Sequence, residues 1–543
     1  MEFIIFIVVQ ALWFGTISWK FYVAADRKAW EAFIPVYNTY VLVKIAQRPT
    51  YWVLLYCIPV VGVVMGIIMM YELLHVFKFR KTWQTAAVMG SFGLYLAFLN
   101  YKEKLKYWGR DDAFIKKNLG EGVNSIFFAI VVATVIRSST FEAYTIPTSS
   151  MEKSLMVGDF LVVSKMHYGV RIPMTQMSLP LVHNKVPFLG RVFHITERIP
   201  SYISWPQIPY LRLPAIDPVK AGDPVVFNYP MDNMPVDKKE NYVKRCVATP
   251  GDSLRIINTN VFVNGEAFKF PDRAYPQFLY YVKTNGQGFS KTQLKRDFDI
   301  NYLTNTEQRK YPTDQDVYQR TSDEYIMFLQ AQHVDDIENL PHVIKVWPVV
   351  ANRPGTTADT SLPQGLVDLQ NGQAEEILFP NPDSGHGERP YNHTWDNYGP
   401  IYIPQAGTTI SLTDENIHSY RRVISEYEGH DLKISSDGIV FIDDVESNKY
   451  TFEKNYYWMM GDNRHNSLDA RKWGYVPEDH IVGKPVFIWM SYDKHGKGMD
   501  KIRTNRVFTT VNGSGERQSY FWHFVVIIVL YQVVQIIRRK RAA

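Results

Sequence analysis

The chain has 543 residues, 46% hydrophobic and 21% charged, with a formal net charge of +5. Two cysteines, Cys57 and Cys246, exclude a disulfide framework, and no Cys/His cluster has zinc-ligand spacing, so neither a metal nor another cofactor is expected. The basic excess lies beside apolar runs, which points to a membrane surface and away from nucleic acid.

Residues 3–23 form a nearly continuous apolar run with no basic segment before it, which favours an anchor over a cleaved leader. Residues 51–76 are long enough to span, since a bilayer core needs about 20 apolar residues. Residues 85–99 are shorter and either span or lie at the interface. Residues 123–136 follow a basic segment containing Lys102, Lys104, Lys106, Arg110, Lys116 and Lys117. Residues 520–537 make a further span, followed by Arg538, Arg539, Lys540 and Arg541. Basic flanks mark the cytoplasmic side. The polar region 138–518 is therefore expected outside. The number and orientation of the earlier spans stay open, because Lys78, Arg80 and Lys81 fit either side.

The outer region reads as mainly β. Short apolar runs at 160–163, 224–227, 242–247, 261–263, 438–442 and 485–489 are separated by Pro-Gly-Asp and Asn-Gly turn signals. Residues 270–415 are more polar and irregular and read as an inserted subdomain.

Three segments carry the chemistry: IPTSSMEKSL at 146–155, YVKRCVATPGD at 242–252 and GDNRHNSLDAR at 461–471. Singly, each has a bland explanation. A Ser-Met pair near a strand is common, a Lys-Arg pair usually lies on a solvated face, and Gly-Asp-Asn-Arg is usually a turn. In this order, after an apolar span, the three together resemble the bacterial type I signal peptidase (leader peptidase) family. GDPVVFNYP at 222–230 adds to the likeness, and WDNYGPI at 395–401 is similar to the long form found in Bacteroidetes.

The resemblance implies a membrane-anchored antiparallel β catalytic domain of the signal-peptidase type. It would be built from residues 138–269 and 416–518 around the 270–415 insertion. Residues 1–117 would form a membrane region with two or three spans, 118–137 an anchor, and 519–543 a C-terminal transmembrane helix with a basic tail. By position, Ser150 matches the nucleophile and Lys244 the general base. Thr148 and the Ser150 N–H match the oxyanion hole, and Ser467 the residue that orients the base. Asp469 and Arg471 match a structural ion pair, with Asp462, Asn463 and Arg464 beside it. Ile146, Met151, Leu155, Tyr242 and Val243 match pocket residues for small side chains. The implied substrates are preprotein signal peptides, with membrane lipid and the secretion translocon as further partners. The implied location is the inner membrane, multi-pass, with the catalytic domain on the periplasmic side. One departure stands out: Glu152, Lys153 and Ser154 replace the Pro-Thr that many members carry after the nucleophile.

The chemistry also follows from the residues. A serine hydroxyl needs an adjacent base, and Ser–Lys pairs are one solution. A lysine serves only when neutral, and burial lowers its pKa. Strand alternation puts Tyr242, Lys244, Cys246 and Ala248 on one face and Arg245 on the other. Asp469 would raise the lysine pKa if it paired with Lys244, so it is expected to pair with Arg471 instead. Ser150 follows the span by a short polar tether, residues 137–145, which keeps the nucleophile near the bilayer. The rival expectation is an inactive membrane scaffold, or a protein that binds a secretion partner on the same fold. A self-cleaving repressor-type protease and a transporter fit less well.

Overall fold

A computed structural model describes residues 2–542 apart from 92, 113–127, 180, 187–198, 304–313, 353–358, 360, 376–377, 381–390, 436–437 and 497. The chain forms two compact units. One comprises Met1–Glu142, Val170–Pro214 and Asn233–Lys239; the other comprises Ala143–Gly169, Ala215–Asp232 and Glu240–Ala543.

The first unit is largely helical around a core that includes Phe21, Tyr22, Val41, Leu73 and Leu96. Its opening helix, Glu2–Ala24, is continuous. The 51–76 run is not one continuous helix. It breaks into helices Trp52–Cys57 and Val61–Val76. Pro59 cannot donate a backbone hydrogen bond, and it pushes Ile58 to extended angles (φ −79°, ψ 124°). The 85–99 run is also divided, into Thr82–Gly90 and Leu94–Lys102, where Gly93 turns the chain at φ +89°. Glu72, buried in the helix Val61–Val76, pairs with Arg48 and Arg110.

Among the described residues, two helices are long and apolar enough to cross a membrane by length and composition: Ile4–Ala24 and Phe521–Arg539. The 123–136 run is present as a shorter apolar helix, Phe128–Ser139. Its first residues, 123–127, lie outside the described residues, as do Lys116 and Lys117.

The second unit is β-rich. Its main sheet has eight strands, in the order Phe141–Thr145, Asp159–Ser164, Ile481–Ser491, Pro224–Asn228, Asn241–Ala248, Tyr456–Met460 and Val476–Pro477, with Thr509–Thr510 also paired to Ile481–Ser491. From Asp159–Ser164 onward the neighbours run antiparallel. Side chains alternate between two cores. Val225, Phe227, Cys246 and Ala248 enter a large core with Trp458 and Tyr475. Val226 enters a smaller one with Ile146, Met151, Leu155 and Leu161. Both faces are covered, which is why these strands read as unbroken apolar runs.

A four-stranded sheet, Val343–Pro348, Gln277–Thr284, Glu324–Gln330 and Val317–Gln319, has its own core around Val282, Tyr325 and Met327. Packing does not follow the expected 270–415 boundary. Strand Tyr398–Tyr402 pairs with Ser253–Ile257, and Trp395, Tyr398, Ile401 and Ile403 fill the large core of the main sheet.

Candidate active site

Strand Asn241–Ala248 is central, held by Pro224–Asn228 on one side and Tyr456–Met460 on the other. That fixes Lys244 opposite Val225 and Arg245 opposite Pro224 and Met460. Ser150 lies in a one-turn 3-10 helix, Ser149–Met151, and is half-buried. Ser150 Oγ and Lys244 Nζ are 94 residues apart in sequence and 2.5 Å apart in space.

Lys244 is 3% exposed. Burial pulls its pKa down to about 8; Asp469 and Asp462 pull it back up, and Arg471 pushes it down again. Neither carboxylate pairs with the amine. Asp469 accepts from Arg471 Nε at 3.0 Å and Nη2 at 2.8 Å, and from the Gly461 N–H at 3.1 Å. Asp462 accepts from Arg245 Nε at 2.8 Å, and Arg245 also donates to the Gly222 carbonyl at 2.6 Å. The expected Asp469–Arg471 pair is therefore present, and the cations on either side of Lys244 have their own anions.

The 461–471 segment grips the Ser149–Met151 turn directly. Asn463 N–H donates to the Ser150 carbonyl at 3.1 Å, and Asn463 Nδ2 to the Ser149 carbonyl at 3.2 Å. Asn466 Nδ2 donates to Ser149 Oγ at 3.1 Å. Gly461 leaves no room for a side chain, since a Cβ there would stand 2.5 Å from the Ser150 carbonyl oxygen and 2.1 Å from Ser467 Oγ.

Thr148 is exposed, in extended backbone one residue before the turn, and its side chain does not cap that turn. Ser467 is buried next to Gly461, but its hydroxyl makes no hydrogen bond among the described residues, so the expected contact with Lys244 is not formed. Ile146, Met151 and Leu155 are buried in the smaller core, beneath the surface rather than on it. Tyr242 and Val243 are half-buried, and Tyr242 stacks on Tyr229 with ring centroids 4.5 Å apart. Arg464 is fully buried, with its guanidinium 5.1 Å from the Phe270 ring centroid.

Sequence reasoning missed two neighbours. Asp396, in the 395–401 segment, makes a buried 2.9 Å contact with His465, whose Nδ1 accepts from the Leu279 N–H at 3.2 Å. Trp395 offers its carbonyl to Arg471 Nη1 at 3.2 Å and its ring face at 4.6 Å. The conspicuous Trp-Asp-Asn run was the available signal; its target, the 461–471 segment, lies too far along the chain for local reading.

A family model described as signal peptidase, peptidase S26, matches residues 119–326 and 406–490, over half of the chain. A second, described as a family of unknown function (DUF5684), matches residues 30–110. Signal peptidase I of Buchnera aphidicola subsp. Schizaphis graminum is 24% identical over 379 residues, which cover 70% of this chain and 77% of that protein. Signal peptidase I of Haemophilus influenzae is 23% identical over 398 residues, 72% of this chain and 75% of its own length. Signal peptidase I of Pseudomonas fluorescens reaches 33% identity over 144 residues, 26% of this chain and 37% of its own length. The match runs through every segment that brings Ser150 and Lys244 together, and the chain belongs to the signal peptidase family, peptidase S26.

Proposed function

We propose that the chain is a membrane-bound serine endopeptidase that removes N-terminal signal peptides from exported preproteins after small residues, with Ser150 as nucleophile and Lys244 as general base. The observation that carries this reading is the 2.5 Å contact between Ser150 Oγ and the buried Lys244 Nζ. In its neutral form Lys244 takes the hydroxyl proton as Ser150 Oγ attacks the scissile carbonyl. It then gives that proton to the leaving amine, and the signal fragment remains as an ester on Ser150. A water then attacks the ester, losing its proton to neutral Lys244, which returns that proton to Ser150 Oγ as the ester bond breaks.

Thr148 Oγ1–H and the Ser150 N–H are the donors assigned to the oxyanion; loss of one such donor costs about 2.7–4 kcal/mol in the barrier. Ser467 is the hydroxyl assigned to orient the amine, and catalytic hydrogen bonds of this kind often close only when substrate binds. Asp469–Arg471 and Asp462, with Asn463 and Arg464, keep the surroundings rigid. Val243 is assigned to contact the small substrate side chains beside the apolar floor of Ile146, Met151 and Leu155, and Tyr242 to contact the substrate from the other face of the strand. Residues 118–137 and the C-terminal helix anchor the protein in the inner membrane. Arg538, Arg539, Lys540 and Arg541 support a cytoplasmic tail and a catalytic domain on the periplasmic side. Membrane lipid and the translocon are the partners this placement brings close.

The test is incubation of detergent-solubilised full-length protein with a preprotein bearing an Ala-x-Ala site, beside Ser150→Ala and Lys244→Ala. Mass spectrometry should find one cut after the second alanine, absent in both variants. A folded wild-type protein that leaves a competent substrate intact would return the reading to an inactive scaffold.

A further inference from the structure

Lys153, three residues after Ser150, is a buried cation at a position where the sequence departs from the family pattern. Its backbone is left-handed (φ +66°), a conformation a non-glycine residue holds only when its surroundings demand it. The ammonium bonds to the Asp299 carbonyl and lies 3.4 Å from Asp299 Oδ2 and 3.6 Å from Asp316 Oδ2. Asp316 in turn accepts from the Asn301 N–H at 2.9 Å. Asp299 closes the helix Lys291–Phe298, and Asp316 enters the strand Val317–Gln319, so both belong to elements packed on the Val282–Tyr325 core.

The next residue is held as well. Ser154 Oγ accepts from the Tyr275 N–H at 2.8 Å, while its carbonyl accepts from Arg517 Nη2 at 2.6 Å and Arg506 Nη2 at 3.2 Å. This loop is tied back to the nucleophile's turn: the Glu152 N–H donates to the Ser149 carbonyl at 2.9 Å, and the Leu155 N–H to the Met151 carbonyl at 2.7 Å. A buried ammonium without its carboxylates would leave for water and take the loop with it.

The geometry points to Lys153 as a positioning residue: clamped by Asp299 and Asp316, it lets the inserted segment set the turn that presents Ser150 to Lys244. This rests on the assignment of Ser150 and Lys244 made above. The inserted segment is thereby a working part of the active site, acting through the loop after the nucleophile.

The experiment uses full-length protein in detergent and compares wild type, Ser150→Ala, Lys153→Met and the double variant Lys153→Met/Asp316→Asn. The double variant removes one charge of each sign, so it keeps the fold measurable if the single variant leaves the acids unpaired. Cleavage of an Ala-x-Ala preprotein gives kcat and KM, an unfolding midpoint reports the fold, and the rate of covalent labelling by a serine-directed acylating probe reports Ser150. A misplaced reacting group costs up to about 100-fold. The expected result for the folded double variant is a kcat lower by about 10- to 100-fold, a matching fall in labelling rate, and KM within about twofold. A folded double variant with wild-type kcat and labelling overturns the proposal alone, as does a change confined to KM. Cleavage that survives Ser150→Ala overturns the assignment of the nucleophile and this proposal with it.

Discussion

Two ionisable groups near Ser150 are displaced in opposite directions. Burial above all pulls the Lys244 pKa down to about 8, and as the proposed base it would work only when neutral. Below that value the amine is increasingly protonated, so kcat/KM should rise about tenfold per pH unit up to roughly pH 8 and then level. A pH–rate profile on a peptide substrate checks this; a flat profile between pH 6 and 8 would rule Lys244 out as the titrating base. Glu152 is displaced the other way, from 4.5 to about 7: burial raises it, Lys153 opposes, and Asp316 and Asp299 add to the rise. With the folded value above the unfolded one, the fold is favoured most below pH 4.5, and that advantage drains away as pH rises to 7. Glu152→Gln removes the group. Its stability relative to wild type should therefore grow from near zero at pH 4 to as much as about 3 kcal/mol at pH 8. Denaturant unfolding at the two pH values measures it.

At the scale of elements, close approach governs the site. The Gly461 backbone runs against the Ser150 carbonyl and Ser467, with no space for a methyl group. Gly461→Ala should push the Ser149–Met151 turn away from Lys244 and lower kcat by about 100-fold. Retention of wild-type kcat would show that the contact yields cheaply. How much of this the sequence disclosed depends on the range of each interaction. Lys244 and Arg245 were legible as opposite faces because alternation along a strand is local. The Asp469–Arg471 pair was legible through the family resemblance and because a carboxylate paired with Lys244 would keep that lysine charged. The breaks in the 51–76 and 85–99 runs had visible causes, Pro59 and Gly93, but hydropathy alone passes over both. Lys153 was legible only as a departure: its meaning depends on Asp299, 146 residues away. The 395–403 segment was assigned to the insertion by its place in the chain, whereas pairing with Ser253–Ile257 puts it in the main core.

For the whole molecule, the helices Ile4–Ala24 and Phe521–Arg539 lie near opposite ends of the chain, with the catalytic strands between them. If the basic tail is cytoplasmic, an epitope fused after Ala543 should be protected from protease added to the periplasmic face, while one in the 284–290 loop should be cut. Protection of both, or neither, would refute the proposed orientation. The β-rich region was legible at this scale because turn signals recur along it. The two-unit division was not, because Val170–Pro214 and Asn233–Lys239 return to the helical unit from the middle of the chain.

The grip of Asn463 on the Ser149 carbonyl joins positions 314 residues apart. At roughly 5–20 residues per second of synthesis, the ribosome needs about 15–60 s after making the serine before it makes the asparagine that holds it. During that interval the nascent chain carries the hydroxyl and, once residue 244 is added, the amine, but not the grip on the turn that presents one to the other. The geometry around Ser150 is therefore completed late, after the opening helix Glu2–Ala24 and every strand up to Tyr456–Met460 have been made.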